Sequence, residues 1–123
     1  MINKYLIPLF AASVAVLFFH LKGLNSEFYW LYWWYDIPMH IFGGVVVALV
    51  YAWLQTAFPK IPQLSWKNIL MVIITIGVLW EIWELLVGDT AFSDNGYALD
   101  TIKDLVDDVI GACVVYFVIK KIS

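Results

Sequence analysis

The stretch Asp100-Thr101-Ile102-Lys103-Asp104-Leu105-Val106-Asp107-Asp108-Val109-Ile110-Gly111 holds four carboxylates, yet it opens an apolar run that reaches Ile119. Read as an α-helix, at about 100° per residue, it sets Asp100, Asp104, Asp107 and Gly111 on one stripe, with Asp108 at the edge. Each intramembrane acid costs on the order of 3 kcal/mol. A row of acids on a membrane-length helix therefore has to face a polar interior. This stretch predicts a helical membrane protein with an acidic site inside it.

Composition agrees. The chain has 123 residues, 63% hydrophobic and 18% aromatic, whereas a soluble domain is nearer half apolar. The expected solvent is lipid, and the length allows a single domain, residues 1–123. Cys113 is the only cysteine. It excludes an intrachain disulfide and reads as packing in an apolar run.

Working outward, Tyr5 to Leu21 is an apolar run of bilayer length. It ends in Phe18-Phe19-His20-Leu21-Lys22, without small residues for cleavage, so it reads as an anchor helix. Leu24 to Tyr35 is dense in Trp and Tyr, rings that collect at the membrane–water interface. No basic residues are interleaved there, which argues against a nucleic-acid surface. Asp36 followed by Pro38 starts a second span over residues 37–58. Ser65 can cap a third over 66–87. Asp94-Asn95-Gly96 marks a turn in the loop before a fourth, over 100–119, closed by Lys120 and Lys121. The fold class is all-α: a polytopic bundle of four transmembrane helices plus a short interfacial aromatic segment.

With a cytoplasmic amino terminus, Lys4, Lys60, Lys67, Lys120 and Lys121 lie inside, and Lys22 and Lys103 outside. That bias predicts a multi-pass protein with both termini cytoplasmic. Every acid falls in the outer half.

Three spans repeat one pattern of polar groups beside glycine: Asp36, His40 and Gly43; Gly77, Glu81 and Glu84; Asp100 or Asp104, with Asp107 and Gly111. Helical spacing puts each set on one face, and their depths match at about 1.5 Å per residue. Six acids (Asp36, Glu81, Glu84, Asp104, Asp107, Asp108) face at most two histidines and Lys103. Packed together they need protonation, hydration or a cation. Oxygen ligands with one imidazole suit a divalent ion such as Mg²⁺, Mn²⁺, Ca²⁺ or Zn²⁺. The expected metal ligands are Glu81, Glu84, Asp104, Asp107 and His40, with His40 alternatively a general base oriented by Asp36. Asp100, Asp108 and His20 are further candidates. The bland alternatives are Asp36 and Asp100 as helix caps, Asp108 facing headgroups or water, His20 as an interfacial histidine, and Trp80 and Trp83 as packing.

The combination Tyr35-Asp36-x-x-x-His40-x-x-Gly43, Trp80-Glu81-x-x-Glu84 and Asp100-x-x-x-Asp104-x-x-Asp107-x-x-x-Gly111-Ala112 resembles a bacterial inner-membrane family of unknown function. More distantly it is similar to the VanZ-like membrane proteins, one of which is associated with glycopeptide-antibiotic resistance. The resemblance covers roughly residues 34–112. It implies a membrane protein with an important acidic site and supplies no activity. The chain is shorter than the typical member, so any surface from additional spans is missing or comes from oligomerisation, as in a homo-oligomer.

The expected function is a divalent-cation site near the outer leaflet that binds or acts on a headgroup-level ligand. One alternative is a protonated carboxylate network that fixes packing in a partner-binding protein. Another is a proton or cation relay in a transporter. No nucleophilic serine motif, phosphate loop or arginine is present, so an enzyme of this kind would rely on the metal.

Overall fold

The computed structural model describes residues 3–123; the first two residues of the single domain expected over 1–123 lie outside the described residues. Among the described residues there is no strand and there are five helices: α1 (Leu6–Asn25), α2 (Phe28–Leu31), α3 (Asp36–Ala57), α4 (Trp66–Val87) and α5 (Tyr97–Ile122). α1, α3 and α4 are long and apolar enough to cross a membrane; at 20 to 22 residues they extend about 30–33 Å. α5 is longer, at 26 residues, but its aspartates and lysines keep it out of that apolar class. Phe10, Leu86 and Phe117 stand largely uncovered on the outer faces. Such oily surface is a liability in water and the ordinary solvent face in lipid.

The helix ends have identifiable causes. α1 runs past the expected Leu21 to Asn25, because the aromatic stretch folds back onto it. A Cβ on Gly23 would come within 2.5 Å of the Tyr35 ring and 2.8 Å of Tyr29. The Tyr35 hydroxyl donates to the Phe19 carbonyl at 2.6 Å. α2 is a single turn, entered through Glu27 in the left-handed region at φ 57°. Ser65 caps α4, its Oγ accepting from the Asn68 N–H at 3.2 Å. Gly88, at φ 81°, ends α4 in a left-handed cap.

Two helix starts differ from the sequence expectation. Asp36 is not a cap: Tyr35 precedes α3, and Asp36 is the first helical residue. Nor is Asp100, because α5 begins three residues earlier, behind Gly96. The Asp94 carboxylate accepts from the Ala91 N–H at 2.8 Å and builds the preceding turn. Asp100 then lies in the first turn of α5, where the helix dipole favours an acid.

α5 is the hub. It makes its largest interface with α3 and a second with α4, while α1 leans on α3. The half of the bundle away from the acids is packed with Ala48, Ala52, Ile69, Ile73, Ala112, Val115 and Ile119. α3 and α5 approach backbone to backbone. A Cβ on Gly44 would land on the Asp108 carbonyl, and one on Gly111 on the Ile41 carbonyl. Small residues permit this approach where lipid gives no hydrophobic drive between helices.

Adjacent glycines should therefore behave oppositely. Gly44→Ala should destabilise by about 1–3 kcal/mol through overpacking. Gly43→Ala should be neutral or slightly stabilising: its Cβ would only touch Asp108 Oδ1 at 3.9 Å, and alanine favours the helix. Unfolding in mixed micelles measures both. Equal responses would contradict the crossing described.

Candidate functional site

The glycine crossing fixes Asp108. Its carbonyl lies under Gly44, and its side chain is wedged between α3 and α4, where a Cβ on Gly77 would come 2.9 Å from Oδ2. Asp108 is 8% exposed, which removes the expectation that it could simply face headgroups or water. Its Oδ1 lies 3.1 Å from His40 Nδ1. The other imidazole nitrogen, Nε2, stands 3.5 Å from Asp36 Oδ1 and 3.6 Å from Asp104 Oδ2. Both separations are too long for good hydrogen bonds.

Lys103 closes the group from outside. Its ammonium lies 2.6 Å from Asp104 Oδ1 and 3.2 Å from Asp36 Oδ2. Asp107 Oδ2, at 3.7 Å, and Asp100 Oδ1, at 3.9 Å, are more distant partners. One lysine thus touches four carboxylates. The oxygens of Asp36 and Asp104 that it holds are not those facing His40. Helical spacing brings Lys103 to Asp100 and Asp107 on its own helix. Its contact with Asp36 depends on how α3 and α5 align, which no single-helix pattern contains.

Among the other candidates, Glu81 is buried and faces α5, where its Oε2 accepts from the Thr101 hydroxyl at 3.0 Å. Glu84 accepts from Trp80 Nε1 at 3.0 Å, so that indole is a polar partner as well as packing. Glu81 Oε1 and Asp107 Oδ2 are buried oxygens without hydrogen-bond partners. His20 is outside the cluster and pairs through Nδ1 with the Tyr29 hydroxyl at 2.7 Å. Burial, with the Asp36 charge adding to it, pushes the Tyr29 phenol above its ordinary range.

Asp36, His40 and Asp104 each offer one ligand atom, all within 4.8 Å of one another. Asp36 remains one-third exposed, whereas the side chains of His40 and Asp104 are about nine-tenths covered. The group is therefore open at the end where α3 and α5 begin. Chemically it offers two carboxylate oxygens and an imidazole nitrogen, backed by the Asp108 carboxylate and flanked on the outer side by Lys103. Thr101, which partners Glu81, carried no signal in the sequence beyond its spacing on the acidic helix.

The Glu81–Thr101 contact gives a direct test of how α4 seats on α5. Thr101→Val should cost about 1–3 kcal/mol, because a buried carboxyl loses its partner. Adding Glu81→Leu to that change should recover most of the loss. Reversible unfolding in mixed micelles reads both; a silent Thr101→Val would show that Glu81 does not depend on it.

No curated protein and no solved structure matches the chain. A family model does, across residues 5–122, nearly the whole of the helical bundle. The chain belongs to that family, described as "Predicted membrane protein (DUF2238)", in keeping with its three apolar membrane-length helices.

Proposed function

We propose that this protein holds one divalent cation between α3 and α5, with Asp36 Oδ1, His40 Nε2 and Asp104 Oδ2 as ligands. The observation that carries the proposal is the spacing of those atoms. Nε2 stands 3.5 and 3.6 Å from the two oxygens. A tetrahedral site with ligand bonds of about 2.1 Å has ligand–ligand edges of about 3.4 Å. The surroundings support the same conclusion. Asp108 pairs with Nδ1, which leaves Nε2 as the free lone pair, the usual arrangement behind a metal-bound histidine. Lys103 engages Asp36 Oδ2 and Asp104 Oδ1 and leaves the facing oxygens free.

Charge points the same way. Asp36, Asp104, Asp107 and Asp108 surround one lysine and one imidazole. A dication offsets most of the excess at a depth where uncompensated charge is costly. Three protein ligands leave a coordination position for water or a headgroup-level oxygen. The ion would polarise a phosphoryl or carbonyl oxygen or activate water there. In this proposal α5 is the fourth crossing of a bacterial-type inner membrane, both termini are cytoplasmic, and the site opens at the outer leaflet. A homo-oligomer is compatible with the exposed apolar faces. The VanZ-like similarity contributes no activity to it.

A second function has its own observation. At 2.6 Å from Asp104, Lys103 is already a compensating cation, which supports a purely structural carboxylate–lysine–histidine network. A transport relay is disfavoured by the inner half of the core, where Ala48, Ala52, Ile69, Ile73 and Ala112 form an apolar plug.

Elemental analysis and melting of the purified full chain decide between them. Stoichiometric metal is expected, and EDTA should lower the melting temperature, since saturation at a hundredfold excess over Kd stabilises by about 2.7 kcal/mol. His40→Gln should abolish the chelator response, and Asp108→Asn should weaken affinity by about 10–100-fold. A wild-type protein without metal and indifferent to EDTA would select the network.

A further inference from the structure

α1 leans on α3 rather than on α5, so a groove is left between α1 and α5 at the end of the bundle opposite the acids. The cavity is about 230 Å³. Tyr5 and Pro8 form one wall, Val114, Val118 and Ile122 the other, and Leu49 of α3 the floor. The lining is hydrocarbon, apart from Lys4 at the rim. We infer that this groove binds an acyl chain of an anionic phospholipid, with Lys4 and Lys121 on the headgroup phosphate.

Charge selects the occupant. Lys4 is held at the rim, its ammonium 5.1 Å from the centre of the Tyr5 ring. Lys121 follows Val118 by three residues and Val114 by seven, so it continues the stripe that forms the α5 wall. Lys120 turns the other way, its ammonium 5.7 Å from the Tyr116 ring. Among the described residues no acidic side chain pairs with Lys4 or Lys121. Every carboxylate side chain of the protein belongs to the opposite half. Lys4, just before α1, and Lys121, at the end of the α5 stripe, bring two positive charges to the end of one apolar slot and match a headgroup bearing negative charge above a hydrocarbon chain. A second copy of the chain would bring the same positive end to the groove and be repelled. A zwitterionic lipid would fill the slot but carry no net charge for the lysines. The site is separate from the cation centre and does not rest on it.

The test uses the full chain in nanodiscs of phosphatidylcholine and phosphatidylglycerol in equal amounts, released into native mass spectrometry. Wild type should retain one phosphatidylglycerol, with a preference of about fivefold for each lysine. Lys4→Gln with Lys121→Gln should remove the preference. Lys60→Gln with Lys67→Gln, at the same end but outside the groove, should keep it. Val118→Trp should lose retention of both lipids by filling the slot; Val118 is 53% exposed, so the ring has room without disturbing the core. Val114→Phe repeats the test should that variant melt early. Equal retention of the two lipids, equal loss in the Lys60 and Lys67 variant, retention by folded groove-filling variants, or a chain dimer in place of lipid would each overturn the inference.

Discussion

The backbone contact between α3 and α5 is the constraint on which the rest depends. Gly44 lies on the Asp108 carbonyl and Gly111 on the Ile41 carbonyl. Side chains at those positions would push the axes apart, and the polar pairs at the same level have little slack. His40 reaches Asp108 at 3.1 Å across this crossing, and Asp36 and Asp104 approach one imidazole nitrogen from two helices. In water such a crossing would be driven by apolar burial. In lipid it is held by close packing and by the polar pairs it permits. Glycines and acids are therefore one device: the first set the distance, and the second supply the attraction.

Electrostatics explain why the cluster has this composition. An isolated aspartate at this depth is expensive, and several together would be worse. Lys103 shares its charge among Asp36, Asp104, Asp107 and Asp100 from the outer edge. It approaches from the edge, and the imidazole occupies the middle. A lysine stem is long enough to keep its head near the headgroups while its methylenes lie against the helix. Histidine is short and fixed between α3 and α5. Lys103 and the imidazole therefore act at different distances from the exposed edge, and they leave between them the face where carboxylate oxygens meet Nε2.

The long elements were legible because apolar runs of bilayer length and the breaks at Pro59, Pro62 and Gly88 are local signals. The stripe logic likewise identified which residues share a helix face. What it could not supply was the partner of each. α5 does not present one face to one neighbour: Gly111 meets α3, Leu105 approaches Gly77 of α4, and Asp108 touches both. A residue placed at the edge of one stripe, as Asp108 was, lies at the centre when two helices flank that edge. The Lys103–Asp36 contact depends on the relative heights of α3 and α5, and no single-helix periodicity encodes that. The starts of α3 and α5 differ from the sequence expectation for a related reason. Acids favour both the cap and the first turn, so Asp36 and Asp100 are compatible with either until the preceding turn is known.

The distribution of burial along the bundle bears on what such a site can do. Its buried carboxylates, Glu81, Asp104, Asp107 and Asp108, all lie in the half where α3 and α5 begin. Beyond them the core closes with Ile69, Ile73, Ala112 and Val115. A conduit needs polar groups, or room for water, along its whole length. A binding site needs them only where the ligand sits, and it gains from an apolar floor. Coulomb interactions strengthen as the surrounding dielectric falls, so in the proposed site the same carboxylates would hold a cation more firmly above a dry core than above a wet one. The exposed edge of Asp36 leaves a route of approach at the end where α3 and α5 begin. An apolar plug on one side, carboxylates on the other and an exposed edge at Asp36 fit the proposed binding role better than a conduit, because whatever bound there would arrive and leave by the same face.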